Sequence, residues 1–88
     1  MYRVEFSKTA DKQYSKLDAR TRQMIEDYID RNLEGTDNPR RLGKALKGTL
    51  RSLWRYETGK YRLICEIKDN ALLILVIKTG HRREVYRS

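Results

Sequence analysis

The amino-acid sequence predicts an α+β fold with an N-terminal strand, a helical hairpin and then a mostly antiparallel sheet of three to four strands. Apolar residues recur at helical spacing in the first part of the chain, and after residue 50 the pattern changes to short strand-like runs with tight turns. At 88 residues, we expect one domain over residues 1–88, which excludes a multidomain enzyme with a large enclosed cavity.

The N-terminal elements follow from local patterns. Residues 2–6 alternate in polarity and predict a short strand. Ser7 is a candidate N-cap for a helix that begins near Lys8, and Asp18 is a candidate N-cap for a second helix that ends near Gly35. Because almost no linker separates the two helices, we expect them to form a hairpin whose apolar stripe covers one face of the sheet.

A long loop and a run of strands are predicted for the rest of the chain. Residues 35–49 hold the only proline and four basic residues, and a connection of this length is often functional. Three strands separated by tight turns are then predicted at residues 50–57, 61–68 and 71–78. Gly80 is expected to turn the chain off the third strand, and residues 84–86 to add a last short strand.

Positive charge is concentrated in the C-terminal part of the chain. The formal net charge is +8. Residues 1–37 carry seven basic and eight acidic residues, whereas residues 38–88 carry 13 basic and four acidic residues. A one-sided positive field favours a polyanionic partner, most often nucleic acid, with an acidic protein or an anionic membrane as the alternatives. The plainest alternative is a basic surface without a special partner.

Composition also limits the cellular setting and the cofactors. A single cysteine, Cys65, excludes an internal disulfide and, with one histidine, excludes a Cys/His zinc site. The apolar run 71–77 is shorter than the roughly 20 residues that cross a membrane, and the N-terminus has no signal-peptide pattern. We therefore expect a cytoplasmic protein without a membrane partner, and Cys65 as a small buried residue.

Two arginines are predicted to meet on the sheet face away from the helices. Strand alternation places Arg62 on that face, and a tight hairpin brings Arg55 near it. Adjacent guanidinium groups repel each other, and a phosphate between them would remove the repulsion and accept forked hydrogen bonds. The alternative interpretation is that both arginines are solvated beside Glu57 and Glu66.

The C-terminal residues carry groups suited to acid–base chemistry. His81 can exchange a proton near neutral pH, Arg82 and Arg83 can hold an anion, and Tyr86 offers a hydroxyl and a ring for base stacking. Cleavage of RNA by its 2′-OH needs such groups and no metal, and the sequence offers no carboxylate cluster to hold one. The alternative is a basic tail with a surface histidine.

Four segments, taken in order, resemble the RelE/ParE superfamily of bacterial toxins over nearly the whole chain. They are Leu46-Lys47-Gly48, Leu53-Trp54-Arg55-Tyr56, residues 59–64 and residues 80–86. The resemblance implies a toxin neutralised by an antitoxin protein encoded beside it. RelE-type members bind the ribosomal A site and cut messenger RNA by 2′-OH attack, whereas ParE-type members keep the fold and poison DNA gyrase.

The resemblance also implies roles for single residues. Arg62 is assigned to the scissile phosphate, and Arg55 positions that phosphate or assists proton removal. Tyr86 or His81 acts as general base, and Arg82 stabilises or helps to protonate the leaving oxygen. These five residues together favour the nuclease branch, with no cofactor and with the ribosome, messenger RNA and an antitoxin as partners.

One departure from the pattern concerns the number of cations. Some members have a second basic residue where this chain has Leu53, and Arg51 or Lys47 would have to compensate. The predicted RNA-binding residues are Arg40, Arg41, Lys44, Lys47, Arg51 and Arg83. Besides the gyrase poison, a non-catalytic basic nucleic-acid-binding module and a toxin that only pairs with its antitoxin remain as alternatives.

Overall fold

Two helices and five strands make up the regular structure of residues 1–47 and 53–84, which are the residues that the computed structural model describes. In chain order they are β1 (Arg3–Phe6), α1 (Lys8–Ser15), α2 (Ala19–Asn32), β2 (Lys44–Ala45), β3 (Trp54–Thr58), β4 (Tyr61–Lys68) and β5 (Leu73–His81). A short 3-10 turn, Asp69–Ala71, joins β4 to β5.

The five strands form one sheet in the order β1-β5-β4-β3-β2. β1 runs parallel to β5, and the other neighbours are antiparallel. β1 and β5 can run parallel because a long stretch of chain, which includes both helices, connects them. The predicted α+β fold is confirmed.

The hairpin helices begin where the sequence indicates. The Ser7 side chain accepts a hydrogen bond from the Ala10 N–H at 3.1 Å, and the Asp18 side chain accepts one from the Thr21 N–H at 2.9 Å. Each cap satisfies an N–H group that the helix itself leaves unpaired. Neither described helix is long and apolar enough to cross a membrane.

The main core lies between the helices and one face of the sheet. Its buried residues come from α1, α2 with the C-cap residue that follows it, and the three inner strands: Ala10, Ile25, Ile29, Leu33, Tyr56, Leu63, Cys65, Ile74 and Val76. A smaller apolar cluster on the other face joins Leu46 and Ile64, with Leu53 and Ile77 packed against them. The second cluster explains why Ile64 is buried although it points away from the helices.

The prediction that Gly80 turns the chain off the last strand was wrong. β5 continues to His81, and Gly80 pairs with Arg62 in the sheet. The strand continues because its antiparallel partner β4 begins at Tyr61 and still offers backbone groups opposite Gly80 and His81. The residue with left-handed backbone near this strand is Leu72, with a φ of 49°, just before β5 begins.

Three other segments differ from the sequence prediction. The predicted loop 35–49 contains β2, which pairs Lys44 with Arg55 and Ala45 with Trp54. β3 begins at Trp54, and residues 48–52 lie outside the described residues. Of the last predicted strand, Glu84 lies in a turn and residues 85–88 are outside the described part.

Candidate functional site

The sheet face opposite the helices carries a cluster of charged side chains near the β3–β4 turn. We call this side of the sheet, which faces away from the helices, the distal face. Strand pairing places Arg55 beside Ile64, and Glu57 beside Arg62, on this face. Lys44 joins Arg55 from β2, and Lys78 lies opposite Ile64 on β5.

The Glu57 carboxylate stands between Arg55 and Arg62. The Arg62 Nε–H donates to Glu57 Oε2 at 2.8 Å, and Arg55 Nε lies 3.9 Å from Glu57 Oε1. The side chain of Arg62 is only 19% exposed and that of Arg55 only 23%, whereas that of Glu57 is 40% exposed. The place where the sequence predicts a bound phosphate therefore contains a carboxylate of the same chain. Glu66 does not share this arrangement, because it lies beside Lys68.

A third arginine acts on the same carboxylate. The hydrogen bond from Arg62 is the main reason that the pKa of Glu57 lies below its usual range, and the positive charges of Arg62, Arg55 and Arg82 add to the effect. The Arg82 N–H donates to the carbonyl of Lys60 at 2.8 Å, which holds the end of β5 beside the β3–β4 turn. Arg55, Arg62 and Arg82 are thus brought together, and we call these three residues the arginine cluster.

The loop before β2 is fixed against β3 by close backbone contact. The Trp54 indole N–H donates to the Leu42 carbonyl at 2.8 Å. Gly43 has a φ of 78°, and a Cβ placed there would lie 2.3 Å from the Arg55 carbonyl oxygen. This packing sets Lys44 next to Arg55. A cleft of about 460 Å³ at this edge is lined by Tyr28, Asn32, Leu42, Gly43, Lys44, Arg55 and Glu57.

His81 lies on the helix-packing side of the sheet. It pairs with Tyr61, and the two rings meet edge to face with their centroids 5.6 Å apart. His81 Nδ1 accepts a hydrogen bond from the Arg83 N–H at 3.1 Å, so the neutral ring carries its proton on Nε2. The structure therefore does not place the imidazole on the distal face with the arginine cluster, and its role as a base stays a prediction.

The predicted RNA-binding residues are spread over the molecule. The Arg40 guanidinium forms a bidentate ion pair with the Asp69 carboxylate, with both N–O distances at 3.0 Å. The Tyr2 hydroxyl donates a hydrogen bond to the same carboxylate. Asp69 follows Arg62 by seven residues along β4, which is about 23 Å in a strand. Arg40 is thus remote from the arginine cluster.

The remaining predicted residues have simpler placements. Arg41, Lys47 and Arg83 are exposed. Tyr86 and Arg51 lie outside the described residues. Within residues 1–47 and 53–84, no three histidine, cysteine, aspartate or glutamate side chains gather closely enough to hold a metal ion.

Glu57 is the site residue that sequence reasoning underrated. The signal was present: Glu57 follows Arg55 by two residues, so the two share a face. The two-residue turn Gly59-Lys60 then pairs Glu57 with Arg62. The turn length thus places Glu57 beside Arg62, whereas the position of its carboxylate between both arginines depends on side-chain contacts that only the structure shows.

A family model described as the ParE toxin of type II toxin–antitoxin systems matches residues 4–86. The chain belongs to this ParE toxin family. The match confirms the resemblance to the RelE/ParE superfamily, and with it the fold. The family model is named for ParE, whereas similar proteins carry RelE-type names.

Relatives of this ParE-family toxin match over nearly the full chain. Toxin RelG of Mycobacterium tuberculosis (strain ATCC 25618 / H37Rv) is 29% identical over 86 residues, which covers 98% of this chain and 97% of RelG. The toxin–antitoxin complex RelBE2 from M. tuberculosis matches with a TM-score of 0.82 and 28% identity, covering 92% of this chain and 98% of that chain. The isolated E. coli RelE toxin shares the fold, with a TM-score of 0.75 and 23% identity over 100% of this chain and 88% of RelE.

Proposed function

We propose that this ParE-family toxin is a ribosome-dependent endoribonuclease that cuts translated messenger RNA in the ribosomal A site. The reaction is attack of the ribose 2′-OH on the adjacent phosphate, without a metal ion. The observation that carries the proposal is the convergence of Arg55, Arg62 and Arg82 on one anion position of the distal face.

The arginine cluster suits the charge that develops in this reaction. As the 2′-oxygen bonds to phosphorus, the phosphorane gains negative charge before the bond to the 5′-oxygen breaks. Guanidinium groups bind such oxygens in forked geometry, and those of Arg55 and Arg62 are partly shielded from water, which strengthens the attraction. Arg62 binds the scissile phosphate, Arg55 positions it, and Arg82 stabilises the leaving oxygen.

Proton transfer completes the chemistry. A general base accepts the 2′-OH proton, and a proton must reach the departing 5′-oxygen, so that the products are a cyclic phosphate and a free 5′-hydroxyl. Tyr86 and His81 are the two candidates for the base. Substituting each separately ranks them, because loss of the base removes cleavage while RNA binding persists.

The test is transcript-end mapping on translating ribosomes. Wild type is compared with Arg62→Ala, Tyr86→Phe and His81→Gln, and we expect Arg62→Ala to lower the cleavage rate by about 100-fold or more. Arg3→Ala is the matched control, since the Arg3 Nε–H also donates to a glutamate, Glu5, at 2.9 Å but on β1. Undiminished A-site cleavage by both Arg62→Ala and Tyr86→Phe would refute these assignments.

A DNA gyrase poison is the second candidate function, and the ParE description of the matching family model favours it. In that case, purified toxin stalls gyrase supercoiling, cells show DNA damage signalling, and messenger RNA stays intact. A non-catalytic nucleic-acid-binding module would show salt-dependent binding and neither activity.

An antitoxin protein is the other partner that we propose. The similar M. tuberculosis chain was solved in a toxin–antitoxin complex. We infer that this chain is likewise bound by a cognate antitoxin and acts in the cytoplasm, where ribosomes and messenger RNA are found. Co-expression with the product of a neighbouring gene should suppress toxicity and yield a stable complex on purification.

A further inference from the structure

The Glu57 carboxylate resembles a bound substrate anion in position and chemistry. A carboxylate and a phosphodiester each carry one negative charge and accept forked hydrogen bonds from guanidinium groups. Glu57 takes this role between Arg62, at 2.8 Å, and Arg55, at 3.9 Å, with the charge of Arg82 nearby. A phosphate that contacts both arginines at this point needs the volume that the carboxylate now fills.

We propose that Glu57 is an internal competitor for the substrate phosphate: its carboxylate occupies the arginine cluster in the free protein, and a phosphodiester displaces it on binding. The inference rests on the proposed function, because it names the phosphodiester as the ligand of the same site. It adds a residue that sets the affinity of the site without taking part in bond making or breaking.

The structure gives Glu57 room to move while the arginines stay in place. The Glu57 side chain is 40% exposed, about twice the exposed fraction of either arginine. It also borders the cleft beside β2, whose lining includes Lys44. The cleft thus offers open space beside Glu57 when its carboxylate leaves Arg62.

This competition has a consequence for substrate choice. A single phosphodiester of free RNA must replace a carboxylate that is already in place. The exchange therefore contributes little binding free energy, and free RNA binds weakly. RNA presented by the ribosome brings additional contacts that favour the exchange. Glu57 would thus help to restrict action to ribosome-bound RNA.

The experiment measures anion binding by the isolated protein, without ribosomes. Inorganic phosphate, and a short oligonucleotide with 2′-deoxyriboses that cannot be cut, are titrated while the arginine Nε–H resonances are followed by NMR. We expect Glu57→Gln to bind both probes about three- to fivefold more tightly, as for loss of a partly exposed ion pair. Glu57→Asp keeps the charge, so its affinity for the two probes should exceed that of wild type by less than about twofold.

Glu66→Gln is the matched control. It removes the same charge from the same face of the sheet, but Glu66 lies beside Lys68, 4.0 Å away, rather than beside the arginine cluster. We expect a change of less than about twofold, because screening weakens the effect of distant charges. The proposal would be overturned if Glu57→Gln and Glu66→Gln raised the affinity for the probes equally, or if Glu57→Gln did not raise it.

Two further readouts keep the result separate from folding and from the nuclease function. In the wild-type protein, phosphate must shift the Arg62 Nε–H and Glu57 carboxyl resonances at the same concentration, and a shift of only one overturns the exchange. If Glu57→Gln tightens binding but the wild type cuts no messenger RNA, the competitor role stands and the nuclease proposal fails. If translating ribosomes support cleavage that depends on Arg62, but Glu57→Gln binds the probes no more tightly than wild type, the nuclease proposal stands and the competitor role fails.

Discussion

Replacing Gly43 by alanine should damage the edge of the sheet beside Arg55. Gly43 has a φ of 78°, and an added Cβ would lie 2.3 Å from the Arg55 carbonyl oxygen and 2.6 Å from the Trp54 indole nitrogen. The first neighbour is backbone and cannot move away without disturbing β3. The loop must therefore lift, and the pairing of Lys44 with Arg55 would be lost.

The size of the effect follows from two separate costs. Left-handed backbone costs a residue with a side chain about 1–2 kcal/mol. Forcing a methyl group into a filled space costs about 1–3 kcal/mol more. We expect Gly43→Ala to lower the free energy of unfolding by about 2–5 kcal/mol, a large part of the stability of a small domain.

Two other glycines separate these costs. Gly35 has nearly the same φ, 79°, but the nearest atom to an added Cβ is 3.5 Å away, so Gly35→Ala should show only the backbone cost of about 1–2 kcal/mol. Gly80 has no atom within 4 Å of such a Cβ, and Gly80→Ala should change stability by less than about 0.5 kcal/mol.

Urea unfolding followed by tryptophan fluorescence measures all three variants. Trp54 is the only tryptophan, and its indole hydrogen bond to Leu42 reports directly on loop docking. If the loop lifts without global unfolding, the Trp54 emission shifts to longer wavelength in the native state. Equal stability of Gly43→Ala and Gly35→Ala, with unchanged Trp54 emission, would refute the reasoning.

Three further predictions concern stability and reactivity. Burial raises the pKa of the Cys65 thiol, so a thiol reagent should label the native protein far more slowly than the protein in urea, and rapid native labelling would contradict this. Burial, followed by a hydrogen bond to Glu26, raises the pKa of Tyr14 from 10.0 to about 12. The folded state then holds a proton that the unfolded state releases, so stability should fall between about pH 10 and pH 12. Tyr14→Phe should make this fall shallower in urea titrations, and an identical slope would exclude Tyr14 as its source. Ser7→Ala removes the cap on the Ala10 N–H and should cost about 1 kcal/mol in urea unfolding, whereas no loss would mean that water replaces the cap.

The sequence was sufficient for the elements that depend on local chemistry. Ser7 and Asp18 cap helices because their side-chain oxygens reach N–H groups three residues ahead. The strand Tyr61–Lys68 was predicted with its observed bounds, because a two-residue turn precedes it and a polar turn follows it. These signals act within a few residues, so they can be recognised without knowing the rest of the fold.

The site shows where local signals end. Alternation placed Arg55 and Arg62 on one face of the sheet, and the structure agrees. The extension of β5 through Gly80 and the small strand β2 depend on backbone partners supplied by β4 and β3. No residue within the segment encodes such a partner, which is why the predicted turn and loop differed from the structure.

What the sequence by itself determined is the order of the two helices and the four longer strands, the helix caps, and the placement of Arg55 and Arg62 on the sheet face away from the helices, since each follows from spacing along the chain. Only the tertiary structure decided that Glu57 lies between the arginines, that His81 lies on the other side of the sheet, and that Arg40 is paired with Asp69. These contacts depend on the register between strands and on segments far apart in sequence, and a charge finds its partner only when packing has fixed both positions.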